Sequence, residues 1–121
     1  MQTIEEMKQD SLYPVIVADH QGMVVDVNSH FEQVFGWKRD EICGQLLTVI
    51  LPVYFRDSHH LGFSRFAATG TSAILNHPLK LKALTKDRQE ILSEHFIIAE
   101  QRDGNWVFAA TLRPLSGEDS E

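Results

Sequence analysis

The spacing of apolar and polar residues divides much of the chain into short strands. Residues 13–18 form an apolar, β-branched run, and residues 23–27 form a second such run after a turn that ends at Gly22. Two runs of this kind around a short turn predict a β-hairpin. Leucine or alanine alternates with lysine in residues 79–83, which is typical of a strand with one buried face.

Two more strands are predicted in the last third of the chain. Residues 90–99 are apolar at both odd and even positions, so we expect both faces of this strand to be covered. A turn containing Asp103-Gly104 leads into a last strand over residues 106–112. Together with the first hairpin, these segments predict an α+β domain in which helices cover one face of a five-stranded antiparallel sheet.

Short helices are predicted between and before the strands. Residues 3–10 form a flanking helix that either packs on the domain or pairs with a second copy. Asn28 or the serine after it can cap a second helix, which ends at Gly36. Residues 46–51 are continuously apolar, and a run this short does not distinguish a helix from a strand.

The longest predicted helix spans residues 55–70, and it contains the candidate chemistry. At about 100° per residue, His59 lies at the centre of an aromatic face on which Gly62 leaves room for a flat ligand. An imidazole in an apolar wall needs a hydrogen-bond partner or a bound ligand. We expect this helix to cover the sheet and enclose a cavity.

A second histidine, His95, is expected to point into this cavity from the sheet. It either bonds to a neighbouring protein group or water, or faces His59 as a distal partner or second axial ligand. Zinc is set aside because the adjacent His59 and His60 diverge by about 100° on a helix. The residues predicted to bind a ligand are Phe55, His59, Gly62, Phe63, Phe66, Leu79, Leu81, His95 and Ile97.

Composition and charge narrow the class of protein. The 121 residues are 43% hydrophobic with a net charge of −6, which argues against a nucleic-acid or anionic-membrane surface. No apolar run reaches the roughly 20 residues of a membrane span, and the N-terminus does not resemble a signal peptide. A single cysteine, Cys43, excludes an internal disulfide and fits a cytoplasmic location. The expected division is a flanking helix (1–11), one domain (12–115) and a polar tail (116–121).

Four segments in order resemble those of PAS sensor domains. They are VVDVNSHFEQVFGWKRDEICGQLLTVILP (24–52), HHLGFSRFAATG (59–70), LKLKALTKDRQEILSEHFI (79–97) and NWVFAATLR (105–113). The resemblance implies a non-catalytic sensory or dimerisation module of a signal-transduction protein. Its implied partner is an effector domain, such as the kinase of a two-component system, a cyclic-dinucleotide enzyme or a transcription regulator.

Sub-classes of the PAS family differ in their ligands. Flavin-binding members carry a reactive cysteine at the position that Leu47 occupies here, which argues against a flavin adduct. The long helix predicted here is more similar to that of haem-binding oxygen sensors, since their proximal histidine, arginine and aromatic residue match His59, Arg65 and Phe66. Their distal arginine falls on Leu79, so the usual hydrogen-bond donor to bound oxygen is missing.

Three functions therefore stay open. The first is a sensory or protein-interaction module with an unidentified ligand or none, and the second is a haem-based gas or redox sensor with His59 as axial ligand. The third, a small enzyme on a similar α+β cup, would need an acid–base pair, for which only His59 and His95 are available. The apolar residues on both faces of the strand 90–99, with the N-terminal helix, also predict a homodimer.

Overall fold

A computed structural model describes residues 3–10, 12–52 and 78–115, which contain a five-stranded sheet. Its strand order is β2-β1-β5-β4-β3, and every neighbouring pair is antiparallel. The α+β architecture predicted from the sequence is confirmed. The elements are α1 (Ile4–Asp10), β1 (Val15–Ala18), β2 (Val24–Val27), α2 (Ser29–Phe35), α3 (Arg39–Ile42), a 3-10 helix (Leu47–Ile50), β3 (Leu79–Leu84), β4 (Glu90–Arg102) and β5 (Asn105–Pro114).

Asn28 joins the first hairpin to the helices. Its side-chain oxygen accepts hydrogen bonds from the backbone N–H groups of Val15 and Phe31, each at 2.9 Å. Its Nδ2 donates to the carbonyl of Tyr13, also at 2.9 Å. Asn28 is therefore the N-cap of α2 and at the same time fixes the start of β1. The helix ends as predicted at Gly36, whose φ of 79° is the left-handed conformation that glycine adopts most easily.

The main core lies between one face of the sheet, which we call the inner face, and the helices α2 and α3 with the 3-10 helix. Phe31 and Phe35 of α2 are fully buried, and their rings stack at 4.9 Å. The apolar run 46–51 resolves into the 3-10 helix, whose Ile50 is buried in this core. The buried core residues are Ile16, Val24, Val27, Phe31, Phe35, Ile42, Ile50, Ala83 and Leu112.

The opposite, outer face of the sheet is covered by α1. Ile4 and Met7 of this helix are fully buried against a second apolar cluster that includes Val15, Val17, Ile98 and Ala109. Thr3 caps the helix: its hydroxyl accepts from the N–H of Glu6, and the Glu6 carboxylate accepts from the N–H of Thr3. The N-terminal helix thus packs on its own domain, which is the first of the two arrangements considered above.

Asp26 connects α1 to α3 across the edge strand β2. Its Oδ2 lies 2.5 Å from Lys8 Nζ of α1, and its Oδ1 lies 2.6 Å from Arg39 Nε of α3. Burial tends to raise the pKa of this carboxyl, but the hydrogen bonds and charges of Lys8 and Arg39 together lower it. The sequence did not reveal this contact, because it joins three elements far apart along the chain.

The predicted long helix at 55–70 and the polar tail lie outside the described residues. The last two strands extend beyond the predicted ranges, since β4 continues to Arg102 and β5 runs from Asn105 to Pro114. A tight turn at Asp103 and Gly104 joins them, and both residues have positive φ. The additional residue pairs make β4 and β5 the most extensively paired strands of the sheet.

Candidate functional site

Four of the predicted ligand-binding residues share the inner face of the sheet. Leu79 pairs with His95, and His95 pairs in turn with Leu112, which belongs to the main core. Because side chains alternate along strands, the residues two positions away, Leu81 on β3 and Ile97 on β4, occupy the same face. The other five predicted residues, Phe55, His59, Gly62, Phe63 and Phe66, lie outside the described part of the chain, as do His60 and His77.

The side chains on the two faces of β4 contact different apolar clusters. Ile91 contacts the main core, whereas Phe96 and Ile98 contact the cluster under α1. Odd-numbered positions of this strand therefore point inward, and even-numbered positions point outward. His95 has the inward orientation expected from the sequence, and its role in binding stays a prediction.

His95 is buried without a full set of hydrogen bonds. Only 5% of the residue is exposed, and its Nε2 has no hydrogen-bond partner among the described residues. The ring does bond to the backbone of Leu81 on the neighbouring strand. A buried nitrogen without a partner costs about 1–3 kcal/mol, so such an atom in a native fold calls for an explanation.

The environment of His95 holds its imidazole in the neutral form. Burial lowers its pKa from 6.5 to about 4, and the bond to the Leu81 backbone opposes this shift only in part. No carboxylate occupies an inner-face position of β3, β4 or β5, so nothing on these strands would stabilise an imidazolium there. At neutral pH the ring therefore presents an uncharged nitrogen to its surroundings.

Ser93 is a second buried polar residue beside His95. It lies two positions earlier on β4, so it shares the inner face, and it is completely buried. Its hydroxyl donates to the carbonyl of Ile91 at 3.3 Å. Ser93 was not among the residues predicted from the sequence, although its odd position in the same strand as His95 was the signal that could have identified it.

Cys43 lies away from this site. It lines an open groove of about 420 Å³, together with Val25 of β2 and charged residues of α2 and α3, and no residue of β3 or β4 borders this groove. Burial raises the pKa of the Cys43 thiol, which disfavours the reactive thiolate. The protonation of this thiol therefore disfavours covalent chemistry with a ligand.

The described residues show no cluster of metal-binding side chains. Among residues 3–10, 12–52 and 78–115, no three histidine, cysteine, aspartate or glutamate residues are grouped so that they could hold an ion. Within the same ranges, no helix has the length and apolar character needed to span a membrane.

Comparison with known proteins shows the family. A model of the PAS domain matches residues 12–116. A protein of Azorhizobium caulinodans is 32% identical over 111 residues, which cover 91% of this chain but only 15% of that protein. The chain therefore belongs to the PAS domain family.

Solved structures share the fold at low sequence identity. The PAS domain of a Colwellia psychrerythraea protein superposes with a TM-score of 0.70 at 13% identity, covering 92% of each chain. The PAS domain of an HTR-like protein from Haloarcula marismortui gives a TM-score of 0.68 at 19% identity, covering 93% of this chain and 88% of the other. A PAS domain from a two-component sensor histidine kinase gives 0.68 at 11% identity, covering 88% and 87%. At these identities the likeness establishes the fold alone.

Proposed function

We propose that this chain is a non-catalytic sensory module that binds a small ligand on the inner face of the sheet, at His95. PAS domains are typically sensory modules of larger signalling proteins. The observation that carries the proposal is that Nε2 of His95, a residue only 5% exposed, has no hydrogen-bond partner within the described part of the chain. A bound molecule would provide the missing hydrogen bond and offset the cost of burying this atom.

The same surroundings support a binding role rather than an enzymatic one. General acid–base catalysis needs a proton carrier with a pKa near the working pH, whereas His95 has a pKa of about 4. Its polar neighbour Ser93 already donates its proton to the Ile91 carbonyl. The inner-face positions of β3, β4 and β5 also lack the carboxylate that would orient His95 as a base.

Signal output would follow from a shift in packing. A ligand that binds one arrangement of the helices on the inner face more tightly than another would favour that arrangement. The terminal segments would then pass the change to an effector, such as a kinase, a cyclic-dinucleotide enzyme or a transcription regulator. A larger protein is supported by the Azorhizobium caulinodans relative, of which this chain spans 15% of the length.

Mass spectrometry of small molecules retained by the purified protein tests the ligand. We expect the wild-type protein to release a small molecule on denaturation and His95→Leu to release little or none. His30→Leu is the matched control, since His30 is exposed and lies on α2, outside the sheet. Equal retention by wild type and His95→Leu would place any ligand elsewhere.

Haem binding is a second candidate function, favoured by the same free nitrogen. A neutral imidazole with an open Nε2 is the form that binds iron, so His95 would be able to hold haem, which would supply gas binding or electron transfer. His59, the predicted axial ligand, lies outside the described residues. Reconstitution with haemin should give a Soret band that weakens in His59→Ala and shifts in His95→Ala. No Soret band in the wild type would reject this function.

A homodimer stays a prediction. The apolar outer-face residues that suggested it are partly covered by α1 of the same chain, with Ile4 and Met7 fully buried there. Ile98 is buried under α1, whereas Phe96 is only partly buried, so part of the outer face remains available to a second copy.

A further inference from the structure

We propose that the ligand of the inner face is a neutral molecule that donates a hydrogen bond, through an N–H or O–H group, to Nε2 of His95. This inference rests on the proposed sensory function and deepens it by naming the chemistry that the site recognises. It follows from three features of β3 and β4: the tautomer of His95, the hydrogen bond of Ser93 and the absence of inner-face charge.

The tautomer follows from the partners of the two ring nitrogens. Nε2 has no partner among the described residues, which leaves Nδ1 as the nitrogen that bonds to the Leu81 backbone. In a neutral ring only one nitrogen carries a proton, and a backbone carbonyl accepts it. Nδ1 is thus the donor, and Nε2 presents a lone pair that can only accept.

Ser93, like His95, leaves a hydrogen-bond acceptor available to a ligand. Its hydroxyl proton is directed to the Ile91 carbonyl, so the lone pairs of its oxygen are the groups left for another molecule. Both buried polar side chains of β4 therefore donate to the backbone, and their acceptor atoms remain available to a ligand. Nε1 of Trp37 is another buried polar atom for which the described residues provide no partner. This residue lies near Lys86, at the opposite end of β3.

The positions of the charged residues in the sheet argue against a charged ligand. The charged residues of β3 and of the adjoining half of β4 occupy outer-face positions: Lys80, Lys82, Glu90 and Glu94. Arg113 of β5, which pairs with Glu94, lies on the same outer face. A buried cation or anion beside His95 would find no counter-charge on the inner-face strands, and its desolvation would oppose binding. A neutral donor avoids this cost.

Nitrogen-15 NMR tests the tautomer directly. In two-bond proton–nitrogen spectra of the full chain at neutral pH, we expect His95 to show a protonated Nδ1 and an unprotonated Nε2. Loss of this signal in His95→Leu, with its persistence in His30→Leu, would assign it to His95 among the six histidines. A protonated Nε2, or an imidazolium, would overturn the inference, because the ring would then require an acceptor from its ligand.

Matched probe pairs test the donor requirement. Benzofuran has a ring oxygen where indole has its N–H, and fluorobenzene has a fluorine where phenol has its O–H. We expect the donor of each pair to bind roughly tenfold more tightly, with a shift of the Nε2 resonance. His95→Leu should remove the difference between the members of a pair, whereas His95→Gln, which retains an acceptor oxygen, should preserve part of it.

The outcomes separate this inference from the proposed function. Equal binding of both members of each pair would overturn the donor requirement and leave the inner face as a small-ligand site. No binding of any of the four probes at millimolar concentration would contradict both proposals. A haem spectrum that depends on His95 would show that iron uses the lone pair instead, and would overturn the donor requirement alone.

Discussion

Among single residues, His95 carries a stability cost that a ligand would offset. His95→Leu removes the unpartnered nitrogen and also the bond of the ring to the Leu81 backbone, so we expect it to raise the free energy of unfolding of the ligand-free protein by at most about 1 kcal/mol. Urea denaturation at neutral pH measures this change. His30→Leu should leave the midpoint nearly unchanged, and a loss of stability in His95→Leu would contradict the cost assigned to the ring.

The depressed pKa of His95 predicts how stability depends on pH. In the unfolded chain the ring takes up a proton below its ordinary pKa of 6.5, whereas the folded ring does so only below about 4. Between these values the unfolded state binds more protons, so stability falls as the pH falls. The loss is about 3 kcal/mol in all. Thermal unfolding of the wild type between pH 7 and 4 should show this loss, and His95→Leu should lack it.

Asn28 offers a residue-scale test of how the first hairpin and α2 are joined. Asn28→Ala removes the acceptor for Val15 and Phe31 and the donor to Tyr13, so we expect it to cost about 2–3 kcal/mol. Asn28→Asp is the matched control. It keeps the acceptor oxygen for Val15 and Phe31 and replaces the donor to Tyr13 by a carboxylate oxygen, so its cost should be smaller than that of Asn28→Ala. Equal costs in chemical denaturation would show that the acceptor contacts contribute little.

Among the elements, α1 depends on a carboxylate of β2. Asp26 is ionised between Lys8 and Arg39, so Asp26→Asn should weaken the contact of α1 with the domain while preserving the shape of the side chain. We expect a cost of about 1 kcal/mol in the free energy of unfolding. Hydrogen exchange should become faster than in the wild type, and more so in α1 than in β4. Lys82→Gln breaks a similar pair with Glu90 far from α1, and it should leave exchange in α1 unchanged.

Signals from residues close together in the sequence predicted the helices and strands well. Contacts between residues far apart along the chain could not be predicted in this way. The N-cap at Asn28 and the stop at Gly36 depend on residues close along the chain, so both were readable. The alternation that placed His95 inward depends on a single strand. The unpartnered state of Nε2 depends on β3 and β5 as well, and the Asp26 contacts depend on α1 and α3. No periodicity of one segment contains that information.

At the scale of the described molecule, each face of the sheet carries an apolar cluster, and different helices cover the two clusters. The inner face packs against α2, α3 and the 3-10 helix, and the outer face packs against α1. The sequence showed that both faces of β4 would be covered, but it could not tell a helix of the same chain from a second copy. The arrangement makes α1 the element that controls access to the outer face.

Removal of α1 should therefore change association. A chain without residues 1–10 would expose Val15, Val17, Ile98 and Ala109, and a newly exposed apolar patch favours contact between copies. We expect light scattering with size exclusion to show self-association of the shortened chain at concentrations where the full chain stays at its smallest size. Met7→Ser in the full chain, which weakens the packing of α1 without removing it, should give an intermediate effect. A full chain that is dimeric and a shortened one that is monomeric would contradict this prediction and make α1 itself the contact between copies.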